Sequence, residues 1–269
     1  AGCEYDVAVL TNITQDHLDF HETFENYRKA KALLFESLHT GNKPDKCAIF
    51  NMDDQSSEII IKSTKSPIMT YGKAETNDVY PLFWKIEAKH MQLDLQTPAG
   101  ELHLLLHITG EFNVYNVMAA VSAMIAEKIN LKVIEDTLNG FAGVPGRFQL
   151  VEAGQPYTVI VDYAHTPDGL ENVLKTARCI TKGKLWVVFG CGGDRDSKKR
   201  PIMAKIALEL ADNIVVTSDN PRSEDPELII ADIEKGLAGA TADKEIHKVT
   251  DRREAINLAL SKAEPNDVI

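Results

Sequence analysis

Cysteine is scarce and scattered. The four thiols at Cys3, Cys47, Cys179 and Cys191 form no C-x-x-C pair in 269 residues. This argues against a disulfide framework or a thiolate metal site, and predicts idle thiols in a cytoplasmic setting. No apolar run approaches the roughly 20 residues needed to span a bilayer, so no membrane insertion is expected. The opening AGCEYDVAVL lacks the basic n-region of a secretory signal. Positive charge is also short: 29 Lys and Arg against 40 Asp and Glu leave a formal net charge of −11. That balance argues against nucleic acid or an anionic membrane as main partner, so any anionic ligand needs a local basic cluster. Two nucleotide fingerprints are missing as well. No G-x-x-x-x-G-K-[ST] occurs, and G-x-G-x-x-G fails in GCGGDR because Arg195 stands where the last glycine should be.

What is present is a chain that is 44% hydrophobic, enough for one large or two ordinary domains. In the second half, apolar runs at 157–162, 185–190, 213–218 and about 245–250 alternate with helical patterns near 167–180, 200–211, 226–237 and 251–263. Short β-branched runs alternating with helices predict a doubly wound, mostly parallel sheet. Ligands of such sheets bind beyond the carboxyl ends of the strands, which puts DYAHTPD, GCGGDRDSKKRP and SDNPRSEDP on one rim. The first half predicts a strand ending at Thr11-Asn12, a helix over about 23–38, a strand at 47–51, antiparallel strands within 82–109 and a helix from about Glu111. The turn-rich GVPGR at 143–147 is the expected boundary, giving domains 1–147 and 148–269. Both ends are expected to be cut, since the chain opens just before a strand and stops inside an apolar start, NDVI.

Four constellations carry chemistry. In TFENYRKAKALLFESL, Phe24, Tyr27, Leu34 and Leu38 form one predicted buried stripe, and Lys31 falls on it. Lys31 is either a lysine snorkelling at the stripe's edge or a reactive amine that takes up carbon dioxide. The resulting carbamate would be an anionic oxygen ligand suited to Mg²⁺. His17, Asp19 and His21 lie just upstream in DHLDFH, where they could serve a metal or occur together by chance. In GEFNVYN, Asn113 and Asn116 share a helix face; either Asn113 caps the helix or one amide reads a nucleobase edge. The glycines of GCGGDRDSKKRP can offer backbone amides to an anion at a helix start. Arg195, Lys198, Lys199 and Arg200 follow, as an anion site or a solvated charge run.

Together TNITQDHLDFH, ENYRKAKALLF, GEFNVYN, GVPGRF, VDYAHTPD, FGCGGDRDSKKRP and SDNPRSEDP, in that order, resemble the Mur ligases, the ATP-dependent family that adds amino acids to the bacterial cell-wall precursor. The resemblance implies an α/β chain: the latter part of a P-loop-type central ATPase domain, then an incomplete Rossmann-like C-terminal domain. It places the phosphate loop and a nucleotide-sugar domain before Ala1, and a segment completing the amino-acid site after Ile269, so the chain alone should be inactive. It further implies His17 as a Mg²⁺ ligand and Lys31 as a carbamylated lysine near the metal and γ-phosphate. Asn116, with Asn113 nearby, would contact adenine; Arg147 and Asp162, with His165 a weaker candidate, would hold the adenosine. Arg195, Asp219, Asn220, Pro221 and Arg222 match the incoming amino-acid site. D-N-P-R goes with meso-diaminopimelate in this family, Arg222 meeting its second carboxylate. The implied activity is amide ligation of that amino acid to UDP-N-acetylmuramoyl-dipeptide by a monomer in the cytoplasm, through an acyl phosphate. An L-lysine-adding enzyme, another Mur ligase or a folylpolyglutamate-type ligase, and a catalytically silent nucleotide- or anion-binding module are the alternatives.

Overall fold

A computed structural model of the chain describes residues 3–14, 21–87, 89–242 and 244–269. The fold is α/β, in two compact units, Ala1–Ala142 and Gly143–Ile269. Among the described residues, no helix is long and apolar enough to cross a membrane.

In the first unit, β1 (Val7–Leu10), β2 (Cys47–Asn51) and β3 (Ile68–Tyr71) form a parallel sheet in that order. Its middle strand carries three fully buried residues in a row, Ala48, Ile49 and Phe50, as a strand covered on both faces requires. One face receives α1 (Phe24–Thr40), which starts where the Thr23 hydroxyl accepts from the Asn26 amide at 3.2 Å. Tyr27, Phe35 and Leu38 of α1 pack with Ala8, Leu10 and Phe50, and the Phe35 and Phe50 rings stack at 4.8 Å. A short helix, α2 (Ser57–Ile60), precedes β3.

The other face of the sheet meets α3 (Glu111–Ala126), whose Val114, Val117, Met118 and Val121 are buried. A second, antiparallel sheet shares this core: β4 (Tyr80–Ile86), β5 (Met91–Thr97) and β6 (Gly100–Leu106). Met91, Leu93 and Leu95 are buried while Gln92, Asp94 and Gln96 are not, the period-2 pattern of a sheet with one covered face. A helix packed between two apolar layers explains why α3 reads as hydrophobic around most of its surface. Next comes α4 (Leu131–Asn139), and Asn139 Oδ1 accepts from the Leu105 amide at 2.8 Å, satisfying a donor on edge strand β6.

The second unit contains β7 (Gln149–Val151), β8 (Val159–Val161), α5 (Pro167–Ile180), β9 (Trp186–Phe189), α6 (Lys199–Leu210), β10 (Asn213–Val216), α7 (Pro226–Glu234), β11 (Glu245–Lys248) and α8 (Arg252–Lys262). Strands β9, β10 and β11 are parallel, and β7 pairs antiparallel with β8. The terminal NDVI joins these pieces. Val268 bridges in parallel to Thr158 on one side and Leu185 on the other, so the order runs β7, β8, the 267–269 segment, β9, β10, β11. Right-handed crossovers then put α5, α6 and α7 on one face and send α8 to the other. Trp186 and Val215 pack with Ala255 and Ala259 of α8, while Val187, Phe189, Ile214 and Val216 point the opposite way. All five strand termini from β8 to β11 therefore open at one rim.

Asp267, 3% exposed, secures the joining segment. Its carboxylate accepts from the Lys184 amide at 2.7 Å and the Glu264 amide at 3.0 Å. Removing it strands two backbone donors, so Asp267→Ala should cost about 2–4 kcal/mol, read as a lower urea midpoint at unchanged slope. A cost within experimental error would contradict this role.

Candidate functional site

The rim of the second unit is built by two loops that interlock. The loop after β9 begins Gly190-Cys191-Gly192-Gly193, and the loop after β10 runs Thr217 to Asp225. A Cβ on Gly190 would stand 2.3 Å from the Thr217 carbonyl oxygen, and one on Gly193 would stand 1.9 Å from that of Pro221. Both distances are prohibitive, so glycine is required for close backbone approach. The Gly193 amide donates to the Asn220 carbonyl at 2.9 Å. At Gly193 this differs from the expectation that the glycines present amides to an anion, because its amide is spent on the neighbouring loop.

The loop after β10 turns sharply at Arg222, whose φ of +51° lies in the left-handed region, uncommon for a residue with a long side chain. The Asn220 side-chain oxygen accepts from the Arg222 amide at 3.2 Å, an Asx-type turn that stabilises the bend. The side chain then reaches back: Arg222 Nη1 donates to the Gly193 carbonyl at 2.6 Å. Arg222 is exposed and makes no ion pair among the described residues. One hydrogen of five is used, which leaves a two-pronged edge of the guanidinium for a planar anion.

Acids around Arg222 are occupied elsewhere. Asp194 accepts from the Ser223 hydroxyl at 2.7 Å and the Ser223 amide at 3.2 Å. These bonds, the hydroxyl's first, hold its carboxyl below the usual range, with Arg222 and Arg195 adding smaller contributions. Glu224 takes both oxygens to Arg200 Nη2, at 2.8 and 2.9 Å, and also accepts the Asp194 amide at 2.6 Å. Arg200 bonding, then the Asp194 amide, lowers its pKa. Asp219 meets Arg252 at 3.3 Å, and Arg252 Nε also donates to the Ser218 carbonyl at 3.1 Å.

The four cations after the glycines do not act as one cluster. Arg200 is 2% exposed and lies between Glu224 and Asp232, its Nη1 reaching Asp232 at 2.9 Å. Lys199 donates to the His165 carbonyl at 2.8 Å. Only Arg195 and Lys198 keep exposed side chains, Arg195 touching the Asp194 carbonyl at 3.4 Å.

At the end of β8, Asp162 binds the turn together. Its Oδ2 accepts from the Phe148 amide and its Oδ1 from the Ala164 amide, each at 2.7 Å. Arg147 stacks its guanidinium 4.6 Å from the centre of the Tyr163 ring. His165 meets the same ring edge-on at 5.0 Å, with Nδ1 3.1 Å from the Tyr163 carbonyl oxygen. Arg147, Asp162 and His165 thus come together around an exposed Tyr163 that sequence reading did not single out.

In the first unit, Asn116 Nδ2 donates to Asn113 Oδ1 at 3.0 Å, and Asn113 Nδ2 donates to the Thr109 carbonyl at 2.8 Å. Thr109, 2% exposed, donates its hydroxyl to the Glu87 carbonyl at 2.6 Å. Asn113 is therefore no helix cap; the cap position is Gly110, and Asn113 instead braces Asn116. The oxygen and second amide hydrogen of Asn116 have no partner among the described residues, which leaves one acceptor beside one donor.

Lys31 takes the snorkelling position, the first of its two readings. Of the four stripe residues Tyr27 and Leu38 are buried and Leu34 is half-buried, but Phe24 is 38% exposed, Lys31 is exposed, and the buried Phe35 was not on the predicted stripe. The Lys31 ammonium lies 5.2 Å from the Tyr27 ring centre. Helical spacing gives the direction of a side chain, and its flexible stem carries the charge back to water. His17 and Asp19 lie outside the described residues. Among the described residues no group of three or more His, Cys, Asp or Glu could hold a metal; His17, expected beside Lys31 as a ligand, is not among them.

Residues 1–124 match the Mur ligase middle domain and residues 146–269 the Mur ligase glutamate ligase domain. The chain belongs to the Mur ligase family. It is 48% identical over 270 residues to the UDP-N-acetylmuramoyl-L-alanyl-D-glutamate–2,6-diaminopimelate ligase of Bacillus licheniformis, covering 100% of this chain and 54% of that protein. The enzyme of the same name from Listeria monocytogenes is 46% identical over 272 residues, again with 100% and 54% covered. The chain thus spans about half the length of the curated relatives it matches. A solved structure titled as the diaminopimelate ligase superposes with a TM-score of 0.63 at 38% identity, over 99% of this chain and 54% of that one. A MurF ligase from Thermotoga maritima in complex with ADP shares the fold, with a TM-score of 0.73 at 20% identity over 98% and 57%.

Asp194 gives this rim a pH signature. Its folded pKa lies below the ordinary 3.8, so its contribution is complete above that value and is lost as pH falls through the depressed one. The urea midpoint of Asp194→Asn should therefore trail wild type by a constant margin above pH 4, and the margin should shrink below it. A margin that widened on acidification would contradict the assignment.

Proposed function

We propose that the full-length gene product is an ATP-dependent amide ligase that adds meso-diaminopimelate to UDP-N-acetylmuramoyl-L-alanyl-D-glutamate in the cytoplasm, as part of peptidoglycan precursor synthesis. The observation that carries this reading is Arg222. Its guanidinium is anchored on one side by the Gly193 carbonyl and has no acid partner among the described residues, although acids surround it. A carboxylate at the far end of an incoming amino acid supplies the missing anion, and a fork-shaped donor suits it better than an ammonium. The names of relatives up to 48% identical point the same way.

In this reading ATP first converts the dipeptide's terminal carboxylate to an acyl phosphate; the amine of diaminopimelate attacks, the amide forms and phosphate leaves. The chain's own residues bind and orient. Asn116 offers a neighbouring donor and acceptor, the pairing that an asparagine presents to adenine, and Asn113 holds it still. Arg147, Asp162 and His165 gather around Tyr163 as the adenosine-side group, with Asp162 fixing the turn. Arg195 and Arg222 take the carboxylates of the amino acid, Asp219 and Asn220 address its ammonium end, and Pro221 presets the backbone before Arg222. Lys31, as a carbamate, and His17 would each supply a ligand to Mg²⁺, and the metal would offset phosphate charge. The enzyme acts as a monomer.

Phosphate release by the full-length protein, with UDP-N-acetylmuramoyl-dipeptide and ATP, should depend on meso-diaminopimelate and be weak with L-lysine. Arg222→Leu should raise the KM for diaminopimelate roughly 10–100-fold, the worth of a lost charge-assisted pair. A preference for lysine would overturn the role of Arg222, and release with neither acceptor would indicate a silent binding module. Lys31→Ala should abolish turnover, with partial recovery on adding short carboxylates; no recovery would count against a carbamate.

A further inference from the structure

Resting on the diaminopimelate reading, we propose that Glu224 and Arg200 are positioning residues that aim Arg222 and so make a second carboxylate a requirement of the incoming amino acid. The relay runs through one peptide group. The carbonyl of Gly193 and the amide N–H of Asp194 belong to the same peptide plane, which is rigid. The carbonyl accepts from Arg222 Nη1 at 2.6 Å, and the N–H donates to Glu224 Oε1 at 2.6 Å. Glu224 therefore fixes the direction in which the Gly193 carbonyl points, and that carbonyl is the anchor of the Arg222 guanidinium.

Glu224 is itself immobilised. Both of its oxygens meet Arg200 Nη2, at 2.8 and 2.9 Å, while Arg200 Nη1 is held by Asp232 at 2.9 Å. Arg200 is 2% exposed, so it cannot reach a ligand at the rim; its reach ends on Glu224, Asp232 and, at 3.5 Å, the Gly192 carbonyl. The plane has little room to turn by other means. Asp194 sits at φ +52°, and a Cβ on Gly192 would stand 2.8 Å from Arg222 Nη1. Asp232, Arg200, Glu224, the 193–194 peptide and Arg222 form one continuous chain of contacts from the body of α6 and α7 to the rim.

The test compares kcat/KM for meso-diaminopimelate and for L-lysine, which lacks the second carboxylate, in the full-length protein and in Glu224→Gln and Arg200→Lys. Glutamine keeps an acceptor but loses the charge that holds Arg200, so the diaminopimelate KM should rise about tenfold. The KM for ATP should stay put and turnover with lysine should not fall, so discrimination between the two amino acids collapses. Glu224→Asp, which keeps the charge, should recover part of it and gives the same ratio if Glu224→Gln does not fold. An equal loss with both amino acids, discrimination intact, would show a merely structural role and overturn the inference. Absence of diaminopimelate-dependent phosphate release in the wild type would instead overturn the parent reading, and this one with it.

Discussion

The approach of two backbones at the carboxyl ends of β9 and β10 is the constraint on which the site depends. These strands are adjacent and parallel, with Phe189 opposite Val216, so the loops leaving them are forced side by side. Gly190 and Gly193 let the loops touch where any side chain would collide. Once touching, they exchange the Gly193 amide for the Asn220 carbonyl and the Arg222 guanidinium for the Gly193 carbonyl. The rim is then a preformed surface, and preorganised donors cost little to align when an anion arrives.

An acidic chain with net charge −11 has to isolate its functional cations from its own carboxylates. It does so by giving each nearby acid a partner other than Arg222. Asp194 goes to Ser223, Glu224 and Asp232 to Arg200, and Asp219 to Arg252. Arg200 is the costly member, since a buried guanidinium must be matched by anions and hydrogen bonds to be tolerated. Its burial between two carboxylates keeps them off Arg222. What looks in sequence like a run of basic residues is thus a division of labour between one structural arginine, Arg200, and the exposed pair Arg195 and Lys198.

The second unit was legible because its strands and helices alternate with strong periodicity, and each rim loop follows from a strand end. NDVI showed only as an apolar start; its place between β8 and β9 comes from tertiary pairing that periodicity does not encode. The contacts of Glu224, Arg200, Tyr163 and Arg252 were not legible either. Arg252 follows β11, the one rim strand whose loop carries no obvious motif; Glu224 reads as an ordinary charge, and Arg200 as one of four candidate anion-binding cations, until the loops are folded together. Asn113 and Asn116 were rightly placed on one helix face, but which of them braces and which remains available depends on the Thr109 carbonyl. Lys31 shows the limit of helical spacing, which fixed its direction on α1 but left open whether its ammonium stays buried or snorkels to water, as it does.

The most direct measurement is a crystal structure of the full-length protein with meso-diaminopimelate bound. The account predicts one carboxylate of the ligand forked on the open edge of the Arg222 guanidinium, with the Gly193 carbonyl still on Nη1 and the two rim loops in the positions described above. A ligand whose carboxylates both lie away from Arg222, or loops that separate to admit it, would contradict the account.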